Sequence, residues 1–454
     1  MAVLMVEPDG QGGICHYTYC LANSLRASGE AVTLATSRSY ELLAAVRRFE
    51  LITPFGPGIE RRIVQRLTGR ARHAQLRSPG AVNATTPAAT SGARAPAVTP
   101  VAAAGFTGRL SRAVSDFEYR RGWHSLIRAA TARHVTTVHV QWLKAPAIDV
   151  QALSALRRRG KAIVLTVHNV VPHDAPPAAS AQWSAVYRSA DALIVHYRGA
   201  ADELVALGVE PQRIEVIPLG NYLPIAVLSG WSSTGEPAQE QARKLLGLAA
   251  GVPLVLFFGL MRPYKGIEYL LEAFAAVRQR IPNAKLLLAG QAVGGYGRIA
   301  EQIARWGIGD SVTALPRYLS LEDAGRCFAA ADIVALPYVE GTQSAVVQLA
   351  YAFARPVVAT SVGGIPEIVR DGATGRLIAP RDAQALAQAL EQSLDDRTWC
   401  RAAGERGYAF ARDEYGWDAI ARQTTAVYRA ASGSGTPPPP IAAAPLPESV
   451  PGQL

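Results

Sequence analysis

Cysteine is scarce in this sequence. Cys15, Cys20, Cys327 and Cys400 are scattered and form no CxxC pair. That argues against a disulfide scaffold and a zinc ribbon and points to reduced thiols. Long apolar runs are missing too: none reaches the roughly 20 residues that cross a bilayer. The first basic residue is Arg26, too late for the charged start of a secretory leader, so a cytoplasmic protein is expected. Acid is short in the first half only. Residues 1–225 hold 25 Lys and Arg against 15 Asp and Glu, whereas the remainder holds 21 of each. The whole net charge of +10 therefore lies in the first half. Within it, Arg61, Arg62, Arg66, Arg70, Arg72 and Arg77 form a run with no acid among them. Aromatics do not interleave with that run and no nucleic-acid module is present, so nucleic acid is not expected as a partner. A solvated basic face and contact with an anionic membrane surface both remain open.

A chain of 454 residues, 49% apolar and 18% charged, has core enough for two or more domains. Residues 2–7 read as a buried strand, 8–13 as a glycine-rich loop, 14–28 as a helix and 31–36 as the next strand, which is a βαβ opening. The loop reads GQGG rather than GxGxxG, and no acid closes the second strand, so a dinucleotide fingerprint is absent. Strands at 136–140, 162–167, 192–195 and 214–217 alternate with helices. So do strands at 254–258, 285–289, 311–314, 333–336 and 356–360. The expected fold is α/β with two doubly wound sheets. Residues 1–220 form the first domain, 221–240 a linker, 241–412 the second domain and 413–430 a final helix. Residues 78–106, rich in Ala, Pro and Thr with only Arg94 charged, lack any period and read as a disordered insertion; so does the tail 431–454, which has seven prolines.

The most informative stretch runs from Ala335 to Val369. Strand, loop, helix, strand, loop and helix follow one another, and in a parallel sheet ligands sit outside the carboxyl ends of strands, near helix N-termini. Those ends offer free N–H groups and partial positive charge to an anion. Upstream, Phe258-Gly259 is followed by Arg262, Lys265 and Gly266 at the start of another helix, where a cation could clamp a phosphate. Thr342, Gln343 and Ser344 precede a helix and can offer hydroxyl, amide and N–H groups to phosphate or sugar; Thr342 and Ser344 could instead, or also, cap the helix. His168 ends a buried strand, with Asn169, His173 and Asp174 close behind. His139 and His196 also lie near strand ends and read as ordinary core histidines. His168 and His173 have no partners at metal-binding spacing, so no metal site is expected.

Pro337, the segment Pro356–Thr360, Gly363-Gly364, Pro366-Glu367 and the run Asp371 to Gly375 together resemble the donor region of retaining glycosyltransferases of family 4, which have the GT-B fold. The resemblance is fullest over residues 254–427; in the first domain it rests on the Gly12-Gly13 loop and the His168 strand. It implies two Rossmann-like domains facing a cleft, the last helix crossing back onto the first domain. It also implies transfer of a hexose from a UDP- or GDP-sugar to a lipid-linked saccharide or other glycan, as in bacterial exopolysaccharide or glycolipid synthesis. The nucleotide sugar would be a substrate, and no cofactor is expected. No DxD motif occurs, so positive side chains and helix ends would replace a metal.

The resemblance implies that Gly12 and Gly13 let the backbone approach donor phosphate or acceptor. Arg262 and Lys265 would hold the diphosphate, with Thr342, Gln343 and Ser344 beside it. His168 would contact the donor sugar or steady its developing charge. The family's two glutamates, eight apart, would fall on Gly341 and Leu349; Glu340 and Gln348 each stand one residue early. Glu340 can shift within a loop to reach a sugar hydroxyl. Gln348 sits on a helix, where one position turns a side chain by about 100°, and is not assigned. The displaced pair keeps a second reading open, that of a non-catalytic GT-B subunit that binds or activates a partner.

Overall fold

The computed structural model describes residues 1–56, 101–171, 179–231 and 236–433. The arginine run 61–77, residues 78–100 of the expected insertion, His173, Asp174 and residues 434–454 lie outside them.

Among the described residues there are two sheets, parallel throughout. The first contains β1 (Ala2–Glu7), β2 (Ala31–Ser37), β3 (Glu50–Phe55), β4 (Thr137–Val140), β5 (Ala162–Thr166), β6 (Ala192–Val195) and β7 (Ile214–Val216), in the order β3-β2-β1-β4-β5-β6-β7. The second contains β8 (Leu254–Phe258), β9 (Lys285–Ala289), β10 (Val312–Leu315), β11 (Ile333–Leu336), β12 (Val357–Thr360) and β13 (Gly375–Ile378), in the order β10-β9-β8-β11-β12-β13. Runs such as LVLFF in β8 and IVAL in β11 are almost fully buried because helices cover both faces of each sheet. Strand order reverses between β1 and β4 in one sheet and between β8 and β11 in the other. Those reversals open crevices at the carboxyl ends of the strands.

The last helix, Trp417–Ala431, returns to the first sheet and packs on the helix Gly12–Ala27. Trp417 Nε1 donates to Asn221 O at 2.8 Å, and the Tyr428 hydroxyl lies 2.7 Å from His139 Nδ1. These are large buried rings with their polar atoms satisfied, so each contributes apolar burial without an orphaned donor.

Two expectations need correction. Residues 101–106 do not belong to a disordered insertion: they lie in the helix Val101–Ala132. Their Ala-rich sequence has no amphipathic period, but alanine has the highest helix propensity. The segment 221–240 is not simply a polar linker. Leu223–Leu228 (LPIAVL) is a helix with Ile225 and Ala226 buried, and Glu236–Leu245 is another that packs against the helix Leu321–Ala330. The apolar residues gain more from packing on the second domain than from remaining a solvated connector.

Candidate functional site

The loops after β8 and β11 meet at the reversal in the second sheet. Gly266 follows a short 3-10 turn with φ +63°, and a Cβ there would lie 2.0 Å from Pro337 O, so only glycine lets the two loops touch. This contact places Lys265 against the start of the helix Ala345–Ala352. Lys265 is only 8% exposed, and its Nζ donates to the Tyr338 hydroxyl at 2.9 Å. That hydroxyl lies 3.2 Å from Ser344 Oγ, and Ser344 caps the helix by accepting from Val346 N at 3.3 Å. Burial works against the ammonium charge, but the Tyr338 and Tyr264 oxygens outweigh it and hold the Lys265 pKa above its ordinary value. A protonated lysine and a helix N-terminus therefore converge, which suits an anion. Arg262 precedes the same turn, close enough for its charge to oppose that of Lys265.

Across the cleft stands the glycine-rich loop after β1. Gly12 N donates to Glu41 Oε1 at 2.6 Å, and His16 Nε2 lies 2.8 Å from the same oxygen. Tyr318 of the second domain donates its hydroxyl to Glu41 Oε2 at 2.7 Å. Burial would raise the Glu41 pKa, but these three donors outweigh it and hold the group below the usual carboxylate range. Gly12 thus spends its N–H on a carboxylate of its own domain. Gly13 O accepts from the Tyr222 hydroxyl at 2.8 Å, and the Gly13 Cα faces Ala345, the first residue of the helix behind Ser344.

Beneath this loop Glu7, 1% exposed, accepts from Gly10 N at 2.7 Å, Asp9 N at 3.0 Å and Thr36 Oγ1 at 3.2 Å. Burial, aided by Asp9, nevertheless pushes its pKa up to about 7 from an ordinary 4.5. A carboxyl with a raised folded-state pKa contributes full stability below its unfolded pKa and loses it as pH rises through the folded value. Stability should fall by about 3 kcal/mol between pH 4.5 and above pH 7 on this account. Glu7→Gln should remove that dependence, so urea titrations at pH 5 and pH 8 should differ less than in the wild type. An unchanged difference would place the pH response elsewhere.

His168 follows β5 and His196 follows β6. His196 Nδ1 lies 2.9 Å from Ile217 O, and its Nε2 lies 3.1 Å from His168 Nδ1. Burial pushes His196 down to about 4 and His168 well below the usual imidazole range, so both rings are neutral near pH 7. The loop before Ser344 reaches this strand edge: Thr342 Oγ1 donates to Asn169 Oδ1 at 2.6 Å and Gln343 Nε2 to His196 O at 3.1 Å.

The site thus brings Lys265, Ser344, Gly13 and His168 to one cleft. Thr342 and Gln343 lie there too, but their side chains tie the domains together. Glu340 is exposed on the same loop. Gln348 is fully buried and donates to Leu219 O at 3.4 Å, which accounts for it as packing. Sequence reasoning missed Tyr338, Glu41, Tyr318 and the role of His196. Only Tyr338, six residues before Ser344, carried a local signal. Among the described residues no group of three or more His, Cys, Asp or Glu is placed to hold a metal, and no helix is long and apolar enough to cross a membrane.

Two parallel doubly wound sheets with their reversal points turned toward one cleft define the GT-B class. Comparison with known proteins gives the family. Residues 252–396 match the pattern of "Glycosyl transferases group 1" and residues 99–220 that of "Glycosyltransferase Family 4". The chain belongs to the family 4 glycosyltransferases. It is 31% identical over 275 residues to a D-inositol 3-phosphate glycosyltransferase of Mycobacterium marinum, covering 58% of this chain and 54% of that one. The Streptomyces coelicolor protein of the same name is 29% identical over 330 residues, covering 69% and 70%. The match thus spans about half the length of the first of these relatives. Among solved structures, Anabaena Alr3699/HepE in complex with UDP and glucose superposes with a TM-score of 0.67 at 19% identity, covering 94% of this chain and 98% of that one. A Rickettsia africae glycosyltransferase superposes with the same TM-score at 16% identity, covering 95% and 98%.

Proposed function

We propose that this chain is a retaining glycosyltransferase that moves a hexose from a UDP- or GDP-sugar to a hydroxyl of a lipid-linked saccharide or other glycan. The observation that carries this reading is the buried Lys265 joined through Tyr338 to Ser344 at a helix N-terminus. The diphosphate would lie against that cation and the helix N–H groups, with Arg262 beside it. The bond from the anomeric carbon to the diphosphate breaks and negative charge grows on the leaving oxygen, where a preorganised positive group stabilises it most. The acceptor oxygen bonds to the anomeric carbon on the same face, and its proton passes to the leaving phosphate oxygen. Lys265 and the helix end supply the positive charge, so no metal is required. His168 would meet a hydroxyl of the substrate, and Glu340 would reach the donor sugar from its exposed loop. The names of the relatives support glycosyl transfer, and the UDP and glucose held by HepE support a nucleotide-sugar donor.

A ligand that binds only the folded state raises the melting temperature. UDP- or GDP-hexose should therefore stabilise the protein, and incubation should release the free nucleotide diphosphate, faster with a glycan acceptor. Stabilisation without release, with or without acceptor, would favour a binding subunit; neither would remove the reading. The acceptor side belongs to the basic first domain. Each arginine near an anionic surface is worth about 1 kcal/mol, so the run 61–77 would support salt-sensitive contact with anionic lipid. Equal sedimentation with neutral and anionic vesicles would dismiss that contact.

A further inference from the structure

We infer that His196 is a positioning residue that fixes the tautomer of His168, so that His168 offers a bare Nε2 lone pair to a substrate hydroxyl. The substrate in this statement rests on the sugar-transfer reading above; the tautomer rests on the hydrogen-bond geometry and on burial, which keeps both rings neutral. A backbone carbonyl only accepts, so the 2.9 Å contact with Ile217 O places the His196 proton on Nδ1. The neutral His196 ring then has only a lone pair at Nε2. His168 Nδ1, 3.1 Å away, must donate to it. His168 is neutral as well, so its single proton is committed and its Nε2 carries none. That Nε2 is buried and makes no hydrogen bond within the protein.

The surroundings hold this order in place. Tyr17 stands edge-on to both rings, with centroids at 5.2 Å and 5.1 Å. Gln343 pins the His196 carbonyl from the second domain. The nearby His139 is occupied by Tyr428 and Thr166, each at 2.7 Å. Among the described residues neither His168 nor His196 has a carboxylate partner to draw a second proton onto it. A group docking on His168 Nε2 must therefore donate a hydrogen. A sugar or acceptor hydroxyl meets that requirement; a phosphate oxygen or a carboxylate does not.

The tautomer is read directly in the full chain, labelled with 15N-histidine and without substrate, from long-range 1H–15N spectra at neutral pH, with His168→Gln used for assignment. The expected result is His168 protonated at Nδ1 and bare at Nε2. His196→Phe keeps a ring but removes the acceptor, so the proton should move to Nε2. His196→Gln places an amide oxygen near the lost nitrogen and should keep it on Nδ1. A partner that orients a metal-ligating histidine through its other ring nitrogen is typically worth roughly 10- to 100-fold, and the same kind of support acts here on a histidine that meets a hydroxyl. We therefore expect kcat/KM to fall by about that factor in His196→Phe and to recover in His196→Gln. Weaker binding of UDP-hexose relative to UDP, without acceptor, would assign the hydroxyl to the donor; a raised acceptor KM alone would assign it to the acceptor. A wild-type His168 protonated at Nε2, or a His196→Phe protein that keeps the Nδ1 proton, overturns the inference. If a variant fails to fold, the wild-type spectrum still decides, and an absence of sugar transfer leaves the spectral result standing by itself.

Discussion

Lys265→Met should lower turnover by roughly 10²–10³-fold, which is about 3–4 kcal/mol, the cost of removing one preorganised group that meets developing charge. Methionine keeps most of the volume and removes the cation, so the packing against Gly259 and Tyr338 is disturbed least. The Tyr338 hydroxyl retains Ser344 Oγ at 3.2 Å. Lys265 is itself a buried cation with a desolvation cost, so its loss need not destabilise the fold. The variant is therefore expected to unfold within about 1 kcal/mol of the wild type in urea, as volume-conserving changes do. Lys265→Ala should lose the same turnover and also leave a cavity, with a further drop in stability. Turnover of the methionine variant within a few-fold of wild type would remove Lys265 from the chemistry.

Lys265 was legible because its signal is local: a strand, a glycine and a basic residue before a helix fall within a dozen positions. The central strands were legible for the same reason. They are unbroken apolar runs, and a strand buried on both faces has no alternative pattern. The two strands that sequence reasoning did not find are β3 and β13. Both are edges of their sheets. The first (ELITPF) carries Pro54 and is only partly buried, and the second (GRLI) begins on the last glycine of the Asp371–Gly375 turn and reads as its continuation. An edge strand has one neighbour and needs less apolar surface, so its pattern is weak.

The site was legible only where chain neighbours form it. His196 looks like any core histidine until β6 and β7 lie side by side and bring Ile217 O to its Nδ1. Glu41 lies 29 residues from Gly12, in a loop with no motif. Thr342 and Gln343 are expected from the sequence to lie beside the donor, but the partners of their side chains, Asn169 and the His196 carbonyl, lie in the other domain. Pairing across domains leaves no periodic trace in sequence.

Gly290→Ala should cost the fold more than any exposed substitution, because two penalties coincide there. The residue sits at φ +141°, a region reached almost only by glycine, and forcing another residue into it costs about 1–3 kcal/mol. A Cβ at this position would also stand 1.9 Å from Gly259 O. The neighbours cannot simply yield. Gly259 N donates to Ala289 O at 2.9 Å, and Gly290 N to Leu315 O at 3.1 Å. These bonds close the ends of β8, β9 and β10 on one another. Overpacking such a junction adds about 1–3 kcal/mol. Together the two terms are a large share of the 5–15 kcal/mol that keeps an ordinary domain folded. The strain also reaches function: Gly259 packs directly on the Lys265 ammonium, so moving its carbonyl moves the cation. Gly294→Ala supplies the control. Its φ is +84° and nothing lies within 4 Å of the added carbon, so it carries backbone strain alone. Urea unfolding should show Gly290→Ala about 2 kcal/mol less stable than Gly294→Ala, the difference being the contact with Gly259. Any Gly290→Ala protein that remains folded should bind the nucleotide sugar more weakly, whereas Gly294→Ala should bind it nearly as the wild type does. Equal destabilisation by the two changes would mean that the β8 and β9 ends part freely and do not hold Lys265 in register.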